Sequence, residues 1–185
     1  MSRVTVTNDE CFEQFCHSLQ SGGALLVSND ADGRPNVMTI GWAQLGVIWG
    51  RWICTVLVRP SRYTYDCCNL TGDFTVNIPY PSQADKAMLC GSKSGRDVDK
   101  FAACGFSAMP ARSGEIASPY IAECGLCYEC DVVHFNDMIP QNTAQDVVQG
   151  CYSGGDFHRI FFGEVLAAHA DEKFAGRFAA EMGQE

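Results

Sequence analysis

The sequence predicts a mainly β domain with short helices, arranged as a small closed or partly open barrel. Three observations carry this expectation. Short runs of apolar and β-branched residues recur at 24–28, 37–42, 52–58, 74–78, 121–135 and 160–168. A helical middle interrupts these runs, without the regular strand–helix alternation of a doubly wound sheet. Neither a glycine-rich dinucleotide fingerprint nor a P-loop lysine motif is present.

The elements follow in order. Phe12, Phe15, Cys16 and Leu19 fall at helical spacing, and Thr7 with Glu10 has the spacing of a capping box, so a helix is expected over about 8–20. Gly22 and Gly23 end it. Ala24 to Ser28 and Val37 to Trp42 read as strands joined by a hairpin turn at Asp32-Gly33, with Trp52 to Val58 and Phe74 to Ile78 as the next two. Ser61 to Leu70 reads as a helix capped by Ser61, and Ala84 to Met88 and Asp97 to Ala103 as shorter ones. Strand character returns at about Ile121 to Phe135 and Ile160 to Ala168. The segment from Asp137 to Asp156 has no clear period and reads as a loop or lid.

Length and composition bound the function. A chain of 185 residues, 46% of them hydrophobic, builds one good core and is short for two, so a single domain over 1–185 is expected. The formal net charge of −9 disfavours nucleic acid and anionic membrane surfaces as partners. The first fifteen residues lack the apolar region of a secretory signal, and no stretch approaches the roughly 20 apolar residues of a spanning helix, so a cytoplasmic protein is expected. Its eleven cysteines, an odd number without an export signal, are then expected to be mostly reduced thiols.

Positive charge is concentrated. Seven of the thirteen basic residues lie between Arg51 and Lys100. Ser61 and Arg62 combine a hydroxyl, a helix start with free N–H groups and a guanidinium, which is the chemistry of a phosphate socket. Ser92-Lys93-Ser94-Gly95-Arg96 repeats it before another expected helix. Each segment alone is equally consistent with a solvated basic surface.

Several strings then resemble one family. Gly33-Arg34-Pro35-Asn36-Val37-Met38-Thr39-Ile40-Gly41-Trp42, Val58-Arg59-Pro60-Ser61-Arg62-Tyr63-Thr64, Phe74-Thr75-Val76-Asn77 and Ser94-Gly95-Arg96-Asp97-Val98-Asp99-Lys100-Phe101 are similar to the successive signatures of flavin reductase-like, FMN-binding split-barrel proteins of the flavoredoxin type. The similarity continues through Tyr128-Glu129-Cys130 and His134 to Phe162-Gly163-Glu164-Val165. It implies a homodimer of Greek-key split β-barrels with FMN held non-covalently near the subunit interface. Asn36, Met38 and Trp42, with Thr39 between them, would line the isoalloxazine ring. Ser61, Arg62 and Thr64 would hold the phosphate end, with Ser94 and Arg96 in the same cofactor set. Asn77 would belong to the same wall, Lys100 would approach the polar edge of the ring, and His134 and Phe162 would complete the site. The implied activity is an oxidoreductase passing electrons from NADH or NADPH through FMN to an unidentified acceptor. No protein nucleophile or general-base pair is required, because flavin supplies the chemistry.

Other readings of these residues stand beside that one. Trp42 shares a strand face with Ile40 and could be core, Phe162 sits in an apolar run, Asn36 and Asn77 could close turns, Lys100 could be solvated and His134 purely structural. The protein could be a non-enzymatic flavin electron carrier. Cys124, Cys127 and Cys130 could form a metal or iron–sulfur module, with His134 as a fourth zinc ligand. If all three lie on one strand, Cys127 points away from the other two and they cannot converge on one ion.

Overall fold

The computed structural model describes residues 2–183. Ten strands carry the architecture: β1 (Arg3–Thr5), β2 (Ala24–Asn29), β3 (Pro35–Ile40), β4 (Ala43–Ile48), β5 (Arg51–Val58), β6 (Asp73–Ile78), β7 (Ala108–Met109), β8 (Tyr120–Ile121), β9 (Leu126–Asp137) and β10 (Arg159–Asp171). Eight of them form one antiparallel sheet in the order β3-β2-β6-β9-β10-β5-β4, with β1 also on β10, while β7 and β8 pair separately. The order is non-sequential, as a Greek key requires. The sheet curls so that β3 approaches β5 from the far end of the strand order, and the Leu57 amide, donating to the Trp42 carbonyl, extends the β4–β5 ladder by one residue towards that closure.

Six helices decorate the sheet: α1 (Phe12–Ser21), α2 (Tyr63–Thr71), α3 (Ala84–Ser92), α4 (Lys100–Cys104), α5 (Gln145–Cys151) and α6 (Phe174–Met182). The continuous apolar run of β2 has a simple cause: both of its faces are covered. Ala24 and Leu26 enter the barrel core with Phe15, Val56, Phe74, Val76, Tyr128 and Phe161. Leu25 and Val27 point the other way, into a second cluster with Ala87 and Cys90 of α3 and Phe101 and Cys104 of α4. Gly163 sits in β10 where the β9 register shifts, and a Cβ there would stand 2.5 Å from the Phe74 ring and 2.7 Å from Cys130 Cβ. The sheet can therefore close over Phe74 only with glycine at that point.

The differences from sequence expectation are local. The Glu10 carboxylate accepts from the Thr7 amide as expected, but helix α1 starts later, at Phe12, after a left-handed Cys11. The hairpin turn is a longer loop closed by Asp30, whose carboxylate accepts from the Asp32 and Arg34 amides. Ser61 does not cap α2; Arg62 stands at the cap position, and the Ser61 hydroxyl is bonded elsewhere. The expected 121–135 strand is two elements, with Cys124 in the turn between β8 and β9. The alternation argument therefore applies to Cys127 and Cys130 only. Among the described residues no group of three or more His, Cys, Asp or Glu is placed to hold a metal ion. The 137–156 segment contains α5 and a 3-10 turn at Pro140–Asn142. Strands β1 and β4 and helix α6 had no counterpart in the sequence reading. No described helix is long and apolar enough to cross a membrane.

Candidate functional site

The β3 strand, the N-terminal end of α2 and the loop between α3 and α4 meet along one groove. Three adjoining cavities mark it. One of about 190 Å³ is lined by Met38, Thr39, Trp42, Arg59, Arg62 and His158, among others. A smaller one of about 60 Å³ is lined by Ser61, Arg62, Thr64, Lys93, Ser94 and Lys100, and shares Met38, Arg62 and Gly91 with the first. An open cleft of about 620 Å³ continues from it along Tyr63, Gly95 and Lys100 to Asn36 and Arg34. Gly91 lines both of the first two and lets α3 approach β3 closely, since a Cβ there would stand 3.3 Å from Thr39 Cβ.

Charge in the groove is uneven. Arg96 is committed: its guanidinium reaches the Asp66 carboxylate at 2.7 Å and lies over the Tyr63 ring. The Arg62 guanidinium makes no hydrogen bond or ion pair with any described residue, although it lines two of the cavities. Lys100 is only 4% exposed, and its ammonium donates to the carbonyls of Cys90 and Lys93, both at 3.2 Å, with no carboxylate partner among the described residues. Burial pushes its pKa down, the reverse of what a carboxylate partner would do, and the nearby Arg62 charge adds to the effect. Asn36 donates to the Thr64 hydroxyl at 2.8 Å and fixes the wall between β3 and α2.

Of the residues expected from sequence, the structure brings Asn36, Met38, Thr39, Trp42, Ser61, Arg62, Thr64, Ser94, Arg96 and Lys100 to this groove. Lys100 lies at the hydroxyl-rich end, beside Ser94 and Thr64. Three residues lie elsewhere. Asn77 is fully buried, donating to the Thr75 hydroxyl and the Leu25 carbonyl and accepting from the Ile121 amide, so it ties β8 to the sheet. His134 and Phe162 face each other across β9 and β10 with ring centroids 5.3 Å apart. Trp49 packs on both.

Sequence reasoning missed His158, Tyr152 and Arg59. His158 is buried against the Trp42 ring, with Nδ1 sharing a 2.7 Å hydrogen bond with the Tyr152 hydroxyl. Burial pushes its pKa down to about 4, and the Arg59 charge adds to this, so its ring is neutral at pH 7. Arg59 lies over the Tyr152 ring and donates to the carbonyls of Cys151 and Asp156. These residues belong to or hold the segment that carried no period, and only the His158-Arg159 pair preceding the Ile160 strand could have drawn attention to it.

The profile of the flavin reductase like domain matches residues 16–180. The chain belongs to the flavin reductase-like family. The uncharacterised protein YddH of Escherichia coli K12 is 26% identical over 158 residues, which is 84% of this chain and 74% of that protein. An uncharacterised protein of Aeropyrum pernix is 28% identical over 153 residues, and there the chain spans only 51% of the relative's length. Among solved structures, flavoredoxin from Methanosarcina acetivorans is 29% identical with a TM-score of 0.64, covering 82% of this chain and 69% of that one. Flavoredoxin of Desulfovibrio vulgaris is 26% identical with the same TM-score, covering 81% and 69%. The mainly β antiparallel fold with short helices is that of the FMN-binding split-barrel proteins. The groove fits such a cofactor chemically, since Arg62 and Lys100, without carboxylate partners among the described residues, suit a phosphate and its Met38, Trp42 and Gly91 surfaces suit a flat ring.

Proposed function

We propose that this protein is an FMN-dependent oxidoreductase that takes electrons from NADH or NADPH and delivers them to a second acceptor. One observation carries the reading: Arg62 and the buried Lys100 meet at a cavity of hydroxyls and amides without a carboxylate partner among the described residues. A buried cation without a counter-charge is costly, and it is retained where a ligand supplies the anion. Arg62, Thr64, Ser94 and Lys100 hold the phosphate end, while Met38, Thr39 and Trp42 receive the ring. Flavin supplies the hydride and electron chemistry when bound. The chain's part is to orient the ring, to keep water from the His158 side, and to offer neutral His158 as a polar contact that carries no charge at pH 7.

His134 and Phe162 support a homodimer. With Trp49, 63% exposed and packed on both, they form an aromatic patch on the outer side of the sheet, away from the groove of their own subunit. A second copy covering this face would bring both residues into the other subunit's neighbourhood. Protein purified without added cofactor is expected to be yellow, to release a ligand of the mass of FMN on heating, and to sediment as a dimer. A colourless protein that binds no added flavin would overturn the assignment.

A further inference from the structure

The Ser61 donors at the start of α2 are already occupied by the chain itself. The Ser61 amide reaches one carboxylate oxygen of Asp156 at 3.2 Å, and the Ser61 hydroxyl donates to the other at 2.6 Å. Asp156 is held in the left-handed region, φ 56°, directly after Gly155 at φ 78°. Its carbonyl accepts from Arg59, which also grips Cys151, so the loop after α5 is tied down at both ends. The carboxylate thus offers Ser61 two acceptor oxygens and a negative charge, as a phosphate would.

The geometry points to Asp156 as an internal competitor that sets this protein's preference between phosphorylated and unphosphorylated flavin; this rests on the proposal that the groove binds FMN. Ser61, Arg62 and Asp156 are all exposed, so a phosphate entering beside Arg62 meets no steric barrier to the exchange. It meets a charge barrier: either the phosphate shares the neighbourhood of Ser61 with a like charge, or it displaces the carboxylate and frees the 152–156 loop. Both routes weaken FMN binding, and neither acts on riboflavin, which has no phosphate. The Asp156 contact is also how the segment over His158 and Trp42 is fastened to α2, so phosphate arrival loosens that segment.

The test is titration of FMN and riboflavin into wild-type protein and Asp156→Asn, which keeps the side chain's shape and removes its charge. FMN affinity is expected to tighten roughly tenfold, the size of one like charge removed from beside a phosphate near the surface. Riboflavin affinity should stay the same. On wild-type protein, inorganic phosphate should speed proteolytic cleavage within 151–157, while sodium chloride at equal ionic strength should not. If the variant binds FMN no tighter than wild type, tightens both flavins equally, or phosphate leaves cleavage unchanged, the competition does not exist. Failure of either protein to bind any flavin would instead remove the FMN assignment itself.

Discussion

Two polar regions of the molecule are built on opposite principles. At one end of the barrel, the fully buried Glu129 accepts from the amides of Arg112 and Ser113 and from His169 Nε2, at 2.6 to 2.9 Å. Arg3 Nε donates to His169 Nδ1 at 2.8 Å, which fixes the imidazole as neutral with its proton on Nε2. Arg3 also donates to the Cys124 carbonyl, and of this cluster's side-chain N and O atoms only its Nη2 is buried without a partner. In the groove, by contrast, the Arg62 side chain has no hydrogen-bond or ion-pair partner among the described residues, and the Lys100 ammonium has only the carbonyls of Cys90 and Lys93 as hydrogen-bond partners. A network that closes on itself supports the fold; one left open by a counter-charge points to a ligand.

The closed network is where the largest effect on folding stability is expected. Burial alone would raise the Glu129 pKa, but the hydrogen bonds from His169, Arg112 and Ser113 outweigh it and bring the carboxyl down to about 2. His169 is also shifted down, first by burial. Both shifts have the same sign in their effect on stability. The unfolded chain takes up protons at its ordinary histidine and glutamate values before the folded one does, so stability falls as pH drops below about 6.5 and more steeply below about 4.5. Glu129→Gln puts an amide N–H against a donor and is expected to cost about 3 kcal/mol at pH 7 and to flatten the acid limb. Denaturant unfolding of the cofactor-free protein at several pH values checks this. A variant of wild-type stability with weakened flavin binding would make this end a ligand site and erase the contrast.

Arg62 is expected to behave in the opposite way. Arg62→Ala should remove roughly 2 to 5 kcal/mol of FMN binding, as for a desolvated charge pair, with little loss for riboflavin. The cofactor-free protein should unfold at nearly the wild-type denaturant concentration, because the exposed guanidinium supports nothing else among the described residues. Fluorescence quenching with both ligands separates the two outcomes. Equal losses for FMN and riboflavin would place Arg62 at the ring and leave the phosphate grip to Lys100 and its neighbours.

The sequence made the strands legible where their residues are buried on one or both faces, as at β2, β5 and β6. It hid β4, whose Gln44, Gly46 and exposed Val47 and Ile48 have little apolar alternation, and β1, three residues long and held through β10. Most of the groove was legible because its residues come as short local strings on β3, at the start of α2 and in the 93–100 loop. Asn77 looked the same by type and spacing, yet its amide is consumed in tying β8 to β6. The His158 contact was illegible, since it depends on a segment with no repeat of its own being brought over Trp42 by β10.

Lys100 gives the smallest effect and the sharpest test of the contrast. Its ammonium is buried at the end of the groove, and its two hydrogen bonds go to carbonyls of the chain that wraps it. If those bonds hold the 93–100 loop together, Lys100→Met should destabilise the cofactor-free protein by the loss of two charge-assisted bonds, about 2 kcal/mol or more. If instead the lysine is retained for a phosphate, methionine of similar length removes a desolvated charge and fills the same space. Cofactor-free stability should then stay level or rise by up to about 1 kcal/mol, while FMN affinity falls and riboflavin affinity does not. The second outcome is expected, because Lys100 is buried without a carboxylate partner among the described residues, and burial works against its charged form. Unfolding curves of the cofactor-free variant, paired with titrations of both flavins, decide between them: stability lost without a selective loss of FMN would make Lys100 part of the scaffold.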